Sequence, residues 1–223
     1  MTSYLIYFAV ILIIPLWAQA KVRSAYNKYS KVPTSTQMTG AEVARKILDD
    51  NGLFDVNIEQ TKGVLSDHYD PRKKVVRLSK DIYHGRSMAS SAVAAHEVGH
   101  AIQDEEEYAF LNFRSALFPV ANLGSNMSFI LIIAGLLMGL NNLILFGITF
   151  MAAAVLFQFV TLPVEFNASS RAMDQLVATG IITNNEERDT KKVLNAAALT
   201  YVAAALVALL ELMRFILIFL SND

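Results

Sequence analysis

Three stretches of this chain carry no charged side chain, Met1–Ala20, Ser115–Val164 and Val193–Leu210, and they decide what it can fold into. A helix needs roughly 20 predominantly apolar residues to cross a bilayer. The first run can cross once. The second can cross twice, with spans expected near Val120–Leu140 and Leu143–Leu162 and a tight polar turn at Asn141-Asn142. The third continues through Glu211 and Arg214, an i,i+3 pair of opposite charge, into Phe215–Leu220. A fourth span is therefore expected near Leu194–Leu220, the alternative being a helix lying partly on the membrane surface or packed in protein. Composition agrees, with 54% hydrophobic and 17% charged residues against about 25% charged in an ordinary soluble domain. A formal net charge of -1 gives no basic field of the kind that gathers nucleic acid, so the lipid bilayer is the expected partner and nucleic acid is not.

The first run also has the form of a signal peptide, because Tyr4–Trp17 is followed by Ala18-Gln19-Ala20. Its charges argue otherwise. No Lys or Arg precedes the apolar run, whereas Lys21, Arg23, Lys28 and Lys31 follow it at once, which holds that end in the cytoplasm. An uncleaved anchor with its N-terminus outside is expected. Arg114 before the second span, and Arg171, Arg188, Lys191 and Lys192 after the third, then also lie in the cytoplasm, while Asn141-Asn142 faces the far side. The expected division is an anchor at 1–20, a cytoplasmic catalytic domain at 21–114, a transmembrane hairpin at 115–164, a cytoplasmic segment completing the metal site at 165–192, and a C-terminal transmembrane helix at 193–223.

The stretch between the first two spans has ordinary polarity and its own local signals. Thr39 and Glu42 form a capping-box pattern, and Asn51-Gly52 is a stop, so Ala41–Asp50 reads as a short helix. Val56 and Ile58, then Val64-Leu65, then Val75–Leu78 after the turn-like Asp70–Lys73, read as small strands. Ser87–Gln103, rich in Ala and free of Pro, reads as a helix.

That last helix carries His96-Glu97-Val98-Gly99-His100. Residues four apart share a helix face, so His96 and His100 can offer two imidazoles to one cation, while Glu97 reaches a water beside it without being a ligand. With no cysteine in the chain, any metal must be held by His, Asp or Glu. Catalytic zinc needs a third protein ligand. His68 and His84 each stand alone, as hydrogen-bonding or surface histidines usually do. Glu165 is the first charge after the long uncharged run, and by itself could be only an interfacial residue. The hairpin returns it to the side of the histidines, which favours it as the third ligand. The acidic run Asp104–Glu107 reads as the solvated end of the motif helix. Asn122–Ser128, with Gly124, fits close helix packing or a bend.

His96–Gln103 (HEVGHAIQ), Phe118–Ser125 (FPVANLGS), Leu162–Met173 (LPVEFNASSRAM), Lys192–Ala204 (KVLNAAALTYVAA) and Ser66–Pro71 together resemble the YugP-like neutral zinc metallopeptidases, bacterial membrane proteins, over nearly the whole chain. The resemblance implies Zn2+ as cofactor, His96, His100 and Glu165 as its ligands, and Glu97 as catalytic base. It also implies a mainly α membrane protein of about four transmembrane helices with a small α+β zincin-like domain bearing the HExxH helix. More broadly the chain is similar to gluzincins. In membrane gluzincins an aspartate commonly follows the ligand glutamate by four residues, and here that position is Ser169, leaving Ser169, Asn167 or Asp174 to orient a histidine.

These readings converge on metal-assisted hydrolysis of a peptide or membrane-protein substrate at the cytoplasmic face of the bacterial inner membrane, with Glu97 moving the proton. His68, Tyr69, His84 and Arg171 are the candidates to stabilise the oxyanion, and an edge strand near the motif helix is a candidate to hold a substrate strand. Two alternatives are compatible with the same residues: a non-catalytic membrane scaffold stabilised by zinc, and a zinc hydrolase of non-peptide amides.

Overall fold

The computed structural model describes residues 2–221, with side chains from Leu5 onward. Its elements in chain order are α1 (Thr2–Tyr29), α2 (Gly40–Asp50), β1 (Asn57–Thr61), β2 (His68–Asp70), β3 (Val75–Ser79), α3 (Lys80–Tyr83), α4 (Met88–Glu105), α5 (Ala109–Met138), α6 (Asn141–Ala178) and α7 (Asn184–Ser221). The protein is mainly helical with one small sheet, and α1, α5, α6 and α7 are each long and apolar enough to cross a membrane.

The chain divides into two compact units. One comprises α1 up to Ala18, Ala109–Pro163 and the chain from Thr200. Its helices approach closely at glycines: a Cβ on Gly124 would collide with the carbonyl oxygen of Phe150, and one on Gly147 would stand 2.8 Å from that of Ser128. Small residues at such crossings are what allow apolar helices to associate where no hydrophobic force acts between them. The Asn122–Ser128 region thus packs closely and remains helical. Arg214 pairs with Glu211 at 2.7 Å, as their spacing suggests.

The turn between α5 and α6 differs from the expectation. Asn141 and Asn142 are the first residues of α6, and the chain reverses at Gly139-Leu140. Gly139 takes φ +66°, and the Leu140 N–H returns to the carbonyl of Gly135 at 2.9 Å, so a glycine C-cap ends α5.

The other unit comprises Gln19–Tyr108 and Val164–Leu199. The Thr39–Glu42 capping box forms in both directions, with Thr39 Oγ1 accepting from the Glu42 N–H at 3.2 Å and Glu42 Oε2 accepting from the Thr39 N–H at 2.7 Å. Val43, Ala44, Ile47 and Leu48 are the buried face that this helix contributes. The sheet has the order β1-β3-β2, with β1 parallel and β2 antiparallel to the central β3. Val75, Val76 and Leu78 of β3 are fully covered, which explains its near-continuous apolar run. Val64-Leu65 is not a strand. Gly63 (φ +107°) and Leu65 (φ +55°) lie in the left-handed half of backbone space, which breaks any ladder, and the third strand forms at His68–Asp70 instead.

Candidate metal centre

Helix α4 begins where Ser87 Oγ accepts from the Ser90 N–H at 3.1 Å. Ala94, Ala95, Val98 and Ala101 are buried in the core of the second unit, so the helix is embedded and only its polar face is available for chemistry. His96 and His100 occupy that face with ring centroids 4.8 Å apart and planes at 82°. Glu165 of α6 meets them, its Oε2 lying 3.3 Å from His96 Nε2 and 3.6 Å from His100 Nε2. One donor atom from each of the three side chains lies within 4.8 Å of the others.

Two imidazole nitrogens and a carboxylate oxygen, turned to one point and largely shielded from water, suit a divalent cation. A catalytic zinc site uses such a set of three and keeps one position open. Glu165 is only 4% exposed, and a carboxylate buried this deeply is costly unless positive charge or donors meet it. His68 and His84 lie outside the cluster. His68 Nδ1 is 2.8 Å from the Ser66 carbonyl oxygen, and His84 Nε2 is 3.0 Å from Gln60 Oε1.

Glu97, one residue beyond the first histidine, is buried. Burial pushes its carboxyl up to about 7; the carboxylates of Asp67 and Glu165 add to this, while His96 and the Tyr69 N–H oppose it. A cation held by the neighbouring cluster would pull the value down. The Tyr69 N–H belongs to β2, an edge strand packed against α4. That strand is pinned by Asp67, whose carboxylate accepts from the N–H and hydroxyl of Ser79 at 2.6 and 3.1 Å.

The α4–α6 contact is built to close tolerance. Gly99 faces the Ala168 carbonyl with no room for a side chain. Of Ser169, Asn167 and Asp174, Ser169 is the one that meets His96, its Oγ lying 3.2 Å from Nδ1. Asn167 Oδ1 accepts from Gln103 and Arg171, and Asp174 is exposed. His100 Nδ1 is instead met by Gln103 Oε1 at 3.0 Å. Gln103 is fully buried, and its Nε2 donates to the Val164 carbonyl at 2.8 Å and to Asn167 Oδ1 at 2.9 Å. Sequence reasoning passed over Gln103. The available signal was its spacing, three residues after His100 and seven after His96, which sets a polar side chain on the metal face.

Two of the oxyanion candidates are engaged elsewhere. The Tyr69 hydroxyl donates to Asp104 Oδ2 at 2.8 Å, and Arg171 binds Asn167 Oδ1 at 2.7 Å and Glu106 Oε2 at 2.6 Å. Within the acidic run, Asp104 and Glu106 thus serve as structural acceptors near the end of α4.

Residues 4–220 match the family described as "Putative neutral zinc metallopeptidase", and the chain belongs to that family. It is 57% identical over 206 residues to a Bacillus subtilis (strain 168) protein described as "Putative membrane protease YugP", with 92% of each chain covered. No solved structure matches.

Proposed function

We propose that this protein is a membrane-embedded, zinc-dependent metallopeptidase that hydrolyses peptide bonds of membrane or membrane-proximal proteins, with its active site on the cytoplasmic side of the bacterial inner membrane. The observation that carries the reading is the meeting of His96, His100 and Glu165 beside the buried Glu97. The family and its relative support the class of enzyme. In this reading the embedded helix and sheet form a zincin-like, gluzincin-like site, and His96 Nε2, His100 Nε2 and a Glu165 oxygen hold the metal. Bound zinc supplies a Lewis acid that polarises the scissile carbonyl and acidifies water. Glu97 takes the proton of the attacking water and passes it to the leaving amine nitrogen, a role suited to a carboxylate buried beside the three-residue cluster.

The position of Glu165 in the chain supports this substrate class. It is the first charge after the run Ser115–Val164, so the metal is held where a transmembrane helix leaves the lipid. Peptide bonds close to the membrane surface are the ones within reach. Strand β2, an edge beside α4, is the place for a substrate strand to add.

The test is a substrate trap. Full-length Glu97→Gln protein, isolated from membranes next to wild type, should retain intact membrane-anchored polypeptides that wild type releases cut, identified by mass spectrometry. Equal cleavage of such a polypeptide by both proteins would sink the peptidase reading and favour a zinc-stabilised scaffold.

A further inference from the structure

Metal binding through Nε2 requires each site histidine to keep its proton on Nδ1, and the two histidines differ in what enforces this. The hydroxyl of Ser169 beside His96 Nδ1 can donate or accept, so it imposes no choice. The amide of Gln103 beside His100 could also present either end, but its surroundings decide. The Val164 carbonyl can only accept, and it stands 2.8 Å from one end of that amide. That end must be the nitrogen. Asn167 leads to the same answer. Arg171 Nε can only donate, so the atom it touches at 2.7 Å must be Asn167 Oδ1, and this oxygen also accepts from the Gln103 nitrogen at 2.9 Å. Glu106 holds the far side of Arg171 at 2.6 Å. With both hydrogens of its nitrogen committed to α6, Gln103 has only its oxygen left for His100.

We propose that Gln103 is a positioning residue whose amide, locked in polarity by α6, fixes His100 as the Nδ1–H tautomer and so presents Nε2 as a lone pair to the metal. The inference rests on the zinc reading above and adds a coupling to it. Gln103 bonds the carbonyl of Val164, the residue immediately before Glu165. One side chain therefore orients a ligand on α4 and holds the backbone next to the ligand on α6, two elements that come from distant parts of the sequence. Its burial is consistent with a fully satisfied polar link: one acceptor used by His100, two donors used by Val164 and Asn167.

The chain has four histidines, few enough for the tautomers to be read directly from zinc-loaded, full-length protein labelled with nitrogen-15 histidine. His68→Gln and His84→Gln remove the two outer signals, and Ser169→Ala, which takes away the hydroxyl beside His96 Nδ1, separates the remaining two. The wild-type His100 signal should show a protonated Nδ1 and an unprotonated, ligating Nε2. In Gln103→Met, which keeps the volume and removes both ends of the amide, zinc affinity measured by chelator competition should fall about 10–100-fold. A proton on His100 Nε2 in the wild type overturns the inference even if the variant fails to fold. So does wild-type zinc affinity in folded Gln103→Met. Folded wild type that takes up no zinc would remove the metallopeptidase reading itself, and this coupling with it.

Discussion

Gly99 and Ala168 meet so closely that a Cβ on Gly99 would stand 2.6 Å from the Ala168 carbonyl oxygen. Gly99 lies between the two histidines of α4, and Ala168 follows Glu165 by about one helical turn, so this contact sets the distance between the two sources of the proposed ligands.

Gly99→Ala should therefore act on the metal as well as on the fold. The obstacle is backbone, which cannot swing aside as a flexible side chain can. Overpacking of this kind costs about 1–3 kcal/mol, and the relief available is to part α4 from α6, carrying Glu165 away from His96 and His100. We expect a lower melting temperature together with weaker zinc binding. Calorimetry and chelator titration that both match wild type would show that the close approach sets nothing at the site.

The elements that could be read from the sequence are those whose cause is local. Thr39 and Glu42 lie three residues apart and suffice to start α2, and the charge-free runs suffice to mark the long helices. What escaped depends on distant partners. Val64-Leu65 has the composition of a strand, but β3 pairs with Asn57–Thr61 and His68–Asp70, and the positive φ of Leu65 belongs to the path between them. Asn141-Asn142 carries turn-forming residues, yet Gly139 two positions earlier reaches the left-handed conformation at no steric cost and closes the helix first. At the site, the i,i+4 histidines could be read from spacing alone. The spacing of Gln103 sets it on the same face, but its part in joining α4 to α6 comes from Val164, 61 residues away.

The assignment of Glu165 as a ligand makes a contrast that can be measured. Removing its carboxylate takes one of three donors from the cluster, whereas His68 and His84 are bonded to Ser66 and Gln60 outside it. Glu165→Ala should lose zinc and proteolytic activity together, while His68→Ala and His84→Ala keep the metal. Full zinc occupancy in purified Glu165→Ala would reject the assignment, as would loss of metal from either folded histidine variant.

Asp67 should matter to substrate handling more than to metal. Its carboxylate anchors the start of β2 to Ser79, and neither residue belongs to the ligand cluster. Asp67→Ala leaves the buried Ser79 N–H without its acceptor, at a cost of about 1–3 kcal/mol. Hydrogen exchange should quicken at Tyr69 and its neighbours on β2, with zinc affinity close to wild type. Unchanged protection along β2 would mean that β3 alone holds the strand.

The orientation in the membrane rests on where positive charge collects, and it can be tested with little background because the chain has no cysteine of its own. Lys21, Arg23, Lys28 and Lys31 follow the first charge-free run, and Arg171, Arg188, Lys191 and Lys192 follow the second, whereas Asn141 and Asn142 stand at the uncharged start of α6. Basic segments resist translocation, so the first two groups are expected in the cytoplasm and the asparagine pair on the far side. Lys31, Asn142 and Asn185 are all exposed, so a cysteine placed at any of them is sterically open to a reagent. In intact cells an impermeant thiol reagent should label Asn142→Cys and leave Lys31→Cys and Asn185→Cys unlabelled until the membrane is opened. Labelling of Lys31→Cys before lysis would invert the orientation, and His96, His100 and Glu165, which belong to the same compact unit as Lys31, would then face the outside.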